Sequence, residues 1–137
     1  STGILSNIKI NNYLIYIMAA KYAQQNGFDD ALVLNARDGI CEATSSNVFF
    51  IRDRSVFTPP LTEGCVAGVM RRHLLQQLPS WEFVVQETAL GLEMIYEMDE
   101  VFLTNAIRGI QPVGRLGGRE YQQEITRSLM SSSSYIV

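Results

Sequence analysis

Residues 47–60 read Asn47-Val48-Phe49-Phe50-Ile51-Arg52-Asp53-Arg54-Ser55-Val56-Phe57-Thr58-Pro59-Pro60. Two runs rich in β-branched and aromatic residues flank the polar pair Asp53-Arg54, which predicts a hairpin with strands over Asn47–Arg52 and Ser55–Thr58. Pro59-Pro60 ends the sheet there, because proline has no N–H to give a ladder. Working outward, Ala31–Asn35 is expected as a short strand followed by a tight turn at Asp38-Gly39. Glu82–Glu87, Val101–Thr104 and Ile110–Val113 add further strands, and Gly117-Gly118 marks another hairpin turn. Between them lie segments of helical spacing. In Tyr13–Gln25 the residues Leu14, Ile17, Met18 and Tyr22 recur at intervals of three and four, and Asn26-Gly27 closes the run. Gly68–Leu78, Ala89–Tyr96 and Tyr121–Met130 are expected as helices, and Ser1–Asn11 as a lead-in loop. The sum is a mixed α/β (α+β) fold, a strand-rich core with surrounding helices, without internal repeat or clear domain boundary.

A chain of 137 residues, 47% of them apolar and 18% charged, is one globular domain with enough material for a core. Its formal charge of −3 gives no electrostatic reason to expect nucleic acid or an anionic membrane as partner. The apolar run 13–20 is too short to span a bilayer, and neither a basic leader nor a small-residue cleavage site precedes it. Cys41 and Cys65, the two cysteines, form no disulfide framework and suit a reducing cytoplasm. The start at Ser1 without methionine makes a fragment of a longer protein an expectation from sequence alone.

The chemistry classes narrow quickly. One histidine, His73, leaves little support for Ser-His-Asp hydrolysis or a histidine metal cluster. With Arg71 and Arg72 beside it, His73 is expected on a solvated helix face. Cys41 and Cys65 have no metal-ligand spacing and read as buried fillers. Lys9 stands between Ile8 and Ile10 just ahead of a helix. The plain reading is a surface lysine with its stem packed across those two residues. The functional one is an ammonium forced into apolar surroundings, with the lowered pKa a Schiff-base lysine needs. Glu42 lies in Cys41-Glu42-Ala43-Thr44-Ser45-Ser46-Asn47. That stretch is either a solvated loop or a small-residue loop that lets a ligand approach closely. Gly64–Met70 is glycine-rich and runs into a helix, a junction able to offer backbone N–H groups to a phosphate.

Taken together and in this order, these segments resemble the class IV aminotransferase family of fold-type IV pyridoxal-5′-phosphate enzymes. The likeness covers nearly the whole chain and is to the family's larger, C-terminal domain; the smaller N-terminal domain has no counterpart. Ile8-Lys9-Ile10-Asn11-Asn12-Tyr13-Leu14 is similar to the lysine segment, which implies Lys9 as the Schiff-base residue. Gly39-Ile40-Cys41-Glu42 through Ser45-Ser46-Asn47-Val48-Phe49 is similar to the motif whose glutamate contacts the cofactor's ring nitrogen. Thr58-Pro59-Pro60-Leu61 followed by Gly68-Val69-Met70-Arg71 is similar to the segment that packs on the ring and holds the phosphate. Where Met70 stands the family usually has threonine, so here a backbone N–H alone would serve. Asp99–Ala106, ending at Gln111-Pro112-Val113, is similar to the second phosphate-binding strand and turn, although small hydroxyl residues are frequent at 105 and 106.

The resemblance thus implies Lys9 and Glu42 as catalytic residues. It implies Lys9, Glu42, Ser46, Asn47, Val66, Gly68, Val69, Met70, Asn105 and Ala106 around pyridoxal 5′-phosphate, and no metal. Thr104-Asn105-Ala106 and Gly68-Val69-Met70-Arg71 are closer to aminodeoxychorismate lyases than to aminotransferases with threonine-rich turns. The expected activity is therefore release of pyruvate and 4-aminobenzoate from 4-amino-4-deoxychorismate in folate synthesis. A branched-chain or D-amino-acid aminotransferase is the alternative, and an inactive fragment the second. A small-molecule amine is the expected substrate and a cytoplasmic homodimer the expected assembly.

Overall fold

The structure is a computed structural model and describes residues 13–132. Helix α1 spans Tyr13–Gln25 and ends at Gly27, whose φ of 76° gives the left-handed exit. Strands β1 (Leu32–Leu34) and β2 (Ile40–Ala43) form an antiparallel pair of their own. Strands β3 (Asn47–Arg52) and β4 (Ser55–Thr58) form the hairpin, turning through Asp53 at a φ of 54°. Then come a 3-10 turn at Leu61–Glu63, helix α2 (Val69–Gln77), a second 3-10 turn at Leu78–Trp81 and β5 (Val84–Glu87). A third 3-10 turn, Leu92–Glu97, leads to β6 (Glu100–Asn105) and β7 (Gly109–Pro112). The short pair β8 (Arg115–Leu116) and β9 (Arg119–Glu120) precedes α3 (Glu124–Ser132).

The main sheet has five strands in the order β5-β4-β3-β6-β7, antiparallel throughout except for the parallel β4–β5 pair. Strand β3 is central, and both of its faces are covered. Phe49 and Ile51 join Phe102 from β6, Met70 and Leu74 from α2 and Leu129 from α3 in one core. Val48 and Phe50 point the other way, into a second core with Ile40, Leu90, Ile95 and Val101. Side chains alternate across a strand, so a run that is apolar at every position needs cover on both sides, and β3 has it. Phe49 and Phe102 are directly opposed across β3 and β6, their rings stacked with centroids 4.9 Å apart.

Helix α3 is fixed by a buried carboxylate. Glu100 accepts the N–H groups of Ile125 and Thr126 and the Thr126 hydroxyl, each at 2.8 Å. This supplies the first-turn donors of α3 with a partner of favourable charge. The helix starts at Glu124 and not at Tyr121 as the spacing suggests, because the N–H of Tyr121 donates to Gly114 and that of Gln122 to Asp99.

Three expectations need correction. The stripe Leu14, Ile17, Met18 and Tyr22 does not face the core: Leu14 and Met18 are 64% and 61% exposed, and α1 is buried instead through Tyr16 and Ala23. Those two lie seven residues apart on one face, and spacing reveals that an apolar face exists without revealing what covers it. Residues 89–96 do not form an α-helix; only the 3-10 turn at Leu92–Glu97 forms. Arg71 is not on a solvated face. It is buried, donating to the Pro59 carbonyl at 3.1 Å and to Glu87 Oε1 at 2.7 Å, and so ties α2 to the end of β4 and to β5. His73, two residues on, is half-buried.

Candidate functional site

Glu42 lies in neither of the loops that the sequence offers: it stands on β2, a strand whose four residues are all buried. Glu42 is 2% exposed. A carboxylate so placed requires donors to remain charged. The described residues supply the Val66 N–H at 2.9 Å from Oε1 and the Tyr16 hydroxyl on Oε2. Burial, and after it the hydrogen bond and charge of Glu42, push the Tyr16 hydroxyl well above its ordinary pKa, so it stays protonated and donating.

The Val66 peptide links the rest of the site. Its carbonyl accepts the Asn47 side-chain amide at 2.8 Å and the Gly68 N–H at 2.9 Å. Gly68 is the N-cap of α2, in extended conformation and without a side-chain cap. Its Cα is tucked so close to Asn47 that an added Cβ would lie 2.4 Å from Asn47 Oδ1. The first-turn N–H groups of Val69, Met70 and Arg71 are those an α-helix leaves without an intrahelical partner. Val69 is exposed and Met70 packs into the core beside Leu74, so what this turn presents is backbone.

On the neighbouring strand, Thr104 is opposite Asn47 in the β3–β6 register. Its buried hydroxyl has no hydrogen-bond partner among the described residues. Asn105 donates to Ser46 Oγ at 3.0 Å while its Oδ1 accepts the N–H groups of Ile107 and Arg108 at 3.0 and 2.7 Å. One side chain thus shapes the β6–β7 turn and fastens it to the turn before β3, leaving Ala106 exposed. Glu42, Ser46, Asn47, Val66, Gly68 and Asn105 are therefore gathered at one end of the β3–β6 pair, with Val69, Met70 and Ala106 next to them in the chain. Lys9 lies outside the described residues.

Sequence reasoning missed two contributions. Tyr16 carried no signal beyond being one more residue of an apolar helix. Glu63, buried, receives Arg37 Nη2 at 2.9 Å and Asn35 Nδ2 at 3.2 Å, and its backbone carbonyl accepts the Cys41 thiol at 2.8 Å. It fastens the segment leading to Val66 against the β1–β2 turn. Cys41 and Cys65 are buried free thiols, as expected, and burial pushes both up from 9.0 to about 11. Among the described residues no three potential metal ligands cluster, and no helix is long and apolar enough to cross a membrane.

A buried carboxylate and an uncapped helix N-terminus on one framework are what a small molecule with a cationic ring nitrogen and a phosphate requires. The family profile described as "Amino-transferase class IV" matches residues 3–116. The chain belongs to the class IV aminotransferase family. It is 35% identical over 117 residues to an aminodeoxychorismate lyase of Vibrio harveyi, covering 85% of this chain and 43% of that protein. It is 29% identical over 107 residues to the branched-chain-amino-acid aminotransferase of Escherichia coli K12, covering 78% of this chain and 35% of that one. Among solved structures, the branched-chain aminotransferase of Thermobaculum terrenum in its PLP form superimposes with a TM-score of 0.87 at 29% identity, over 94% of this chain and 44% of that one. The putative 4-amino-4-deoxychorismate lyase of Legionella pneumophila gives 0.80 at 30% identity, over 90% and 48%. The chain spans less than half the length of each of these relatives, and its mixed five-stranded sheet with flanking helices is the family fold.

Proposed function

We propose that this chain is the cofactor-bearing, C-terminal domain of a pyridoxal-5′-phosphate enzyme, with Lys9 carrying the cofactor and Glu42 facing its ring nitrogen. The residues present fit that group. Glu42 is a buried carboxylate that accepts the Val66 N–H and the Tyr16 hydroxyl, and Gly68 opens α2 where no side chain could be added without displacing Asn47. The first-turn N–H groups of Val69 and Met70 would hold the phosphate, aided by the positive end of the helix dipole. Bound there, pyridoxal phosphate supplies an electron sink for negative charge on the substrate's α-carbon. Lys9 Nζ would take the substrate's α-proton and return it. Glu42 keeps the ring nitrogen protonated by offering it an opposite charge.

Within the family we read the full-length protein as an aminodeoxychorismate lyase, a cytoplasmic homodimer that releases pyruvate and 4-aminobenzoate. The observation carrying this is the turn Thr104-Asn105-Ala106-Ile107-Arg108-Gly109, which lacks a hydroxyl-rich pattern and is shaped by the Asn105 amide. Identity leans the same way, 35% against 29%. Structural overlap leans towards the aminotransferase, 0.87 against 0.80, but at this level it reports the shared fold and not the reaction. Both reactions use proton abstraction by Lys9 and part on how the substrate is held afterwards. A lactate-dehydrogenase-coupled assay on the full-length protein should detect pyruvate from aminodeoxychorismate. Little glutamate should form from branched-chain amino acids or D-alanine with 2-oxoglutarate. Fast glutamate formation without pyruvate would transfer the assignment to an aminotransferase.

A further inference from the structure

Helix α1 reaches the interior through Tyr16 and Ala23, while Leu14, Ile15, Ile17 and Met18 around Tyr16 are exposed. Tyr16 is 6% exposed, and its hydroxyl lies on Glu42 Oε2 across a sequence separation of 26 residues. A phenylalanine would pack the same ring, so packing alone does not account for the hydroxyl. With Val66 N–H on Oε1, each oxygen of the carboxylate has its own donor from a different element. Two fixed donors set the carboxylate plane, and both favour its charged form.

We infer that Tyr16 is a positioning residue that keeps the Glu42 carboxylate ionised and oriented for the cofactor's ring nitrogen. This rests on the cofactor reading above and adds to it a residue that acts through Glu42 and needs no contact with cofactor or substrate. Among the described residues, the ionisable groups electrostatically coupled to this pair are Cys41 on the same strand and Cys65 on the loop before α2; Arg71 acts on Cys65. Both thiols, raised to about 11, are neutral across the range where a carboxyl titrates, so neither adds a charge beside Glu42 there.

The test compares full-length wild type, Tyr16→Phe, Glu42→Gln and the double variant. Without cofactor, the carboxyl carbons of 13C-labelled glutamate are titrated by NMR, Glu42 being the signal absent from Glu42→Gln. In Tyr16→Phe the proton affinity of Glu42 should rise on the order of tenfold, the effect of losing one charge-assisted hydrogen bond. Should Tyr16→Phe fold poorly, 3-fluorotyrosine at position 16, a stronger donor, should shift the titration the opposite way. With pyridoxal phosphate, Tyr16→Phe should lower kcat several-fold with KM for the amine nearly unchanged. It should add nothing in the Glu42→Gln background, as expected of residues acting in series. An unchanged Glu42 titration, or full additivity of the two substitutions, overturns the role of Tyr16. Failure of wild type to take up pyridoxal phosphate overturns the proposed function, a result separable from the cofactor-free titration.

Discussion

Replacing Glu42 by Gln keeps the shape of a side chain that is 2% exposed and removes its charge. A Gln side chain retains an oxygen to accept from Val66 or Tyr16, so the local fold should survive. Uptake of pyridoxal phosphate should persist, while turnover falls on the order of 10²-fold or more, the range of a positioned electrostatic group. Absorbance titration and steady-state kinetics read the two effects separately, and wild-type turnover would remove Glu42 from its role. At this scale the sequence was partly legible. The motif singles out Glu42, Asn47 and Gly68, which the fold brings near one another, yet nothing local showed that Glu42 is buried in a strand, since small polar neighbours suit a loop equally well. Tyr16 was not legible at all, because its role exists only once α1 and β2 meet.

Among the elements, the junction of Val66, Gly68 and α2 is the one most exposed to a test. The φ of Gly68 is −69°, which alanine adopts without strain, so the obstacle to Gly68→Ala is the Asn47 amide alone. Displacing that amide loosens its bond to the Val66 carbonyl and shifts the first turn of α2. Affinity for pyridoxal phosphate should then fall on the order of tenfold as the turn's N–H groups lose their aim, and the loosened internal bond should lower thermal stability slightly. Unchanged affinity in a fluorescence titration would show that this turn does not hold the phosphate. The hairpin of β3 and β4 was fully legible, its ends matching the sequence expectation, because a central strand covered on both faces is apolar along its middle, here Val48–Ile51. Helix α1 was legible in extent but not in orientation, for its apolar stripe is the outward face. Residues 89–96 misled because four-residue spacing over so short a span also fits a 3-10 turn.

At the scale of the whole molecule, the two buried thiols make a prediction about pH. Each is raised in the folded chain from 9.0 to about 11, so between those values the unfolded chain gives up protons that the folded chain retains. The thiols' contribution to stability is therefore intact below pH 9 and lost as pH rises towards 11. Thermal unfolding at stepped pH should show the decline, and Cys65→Ala should flatten it; a profile unaltered by the substitution would mean the thiols do not contribute. The larger question concerns the site as a unit, since the chain spans less than half of its relatives' length. Lys9, outside the described residues, is the residue on which the account depends. The direct measurement is borohydride reduction of the full-length protein loaded with pyridoxal phosphate, followed by peptide mapping. The account predicts the label on Lys9. A label on Lys21, the other lysine of this chain, or none within this chain, would contradict it.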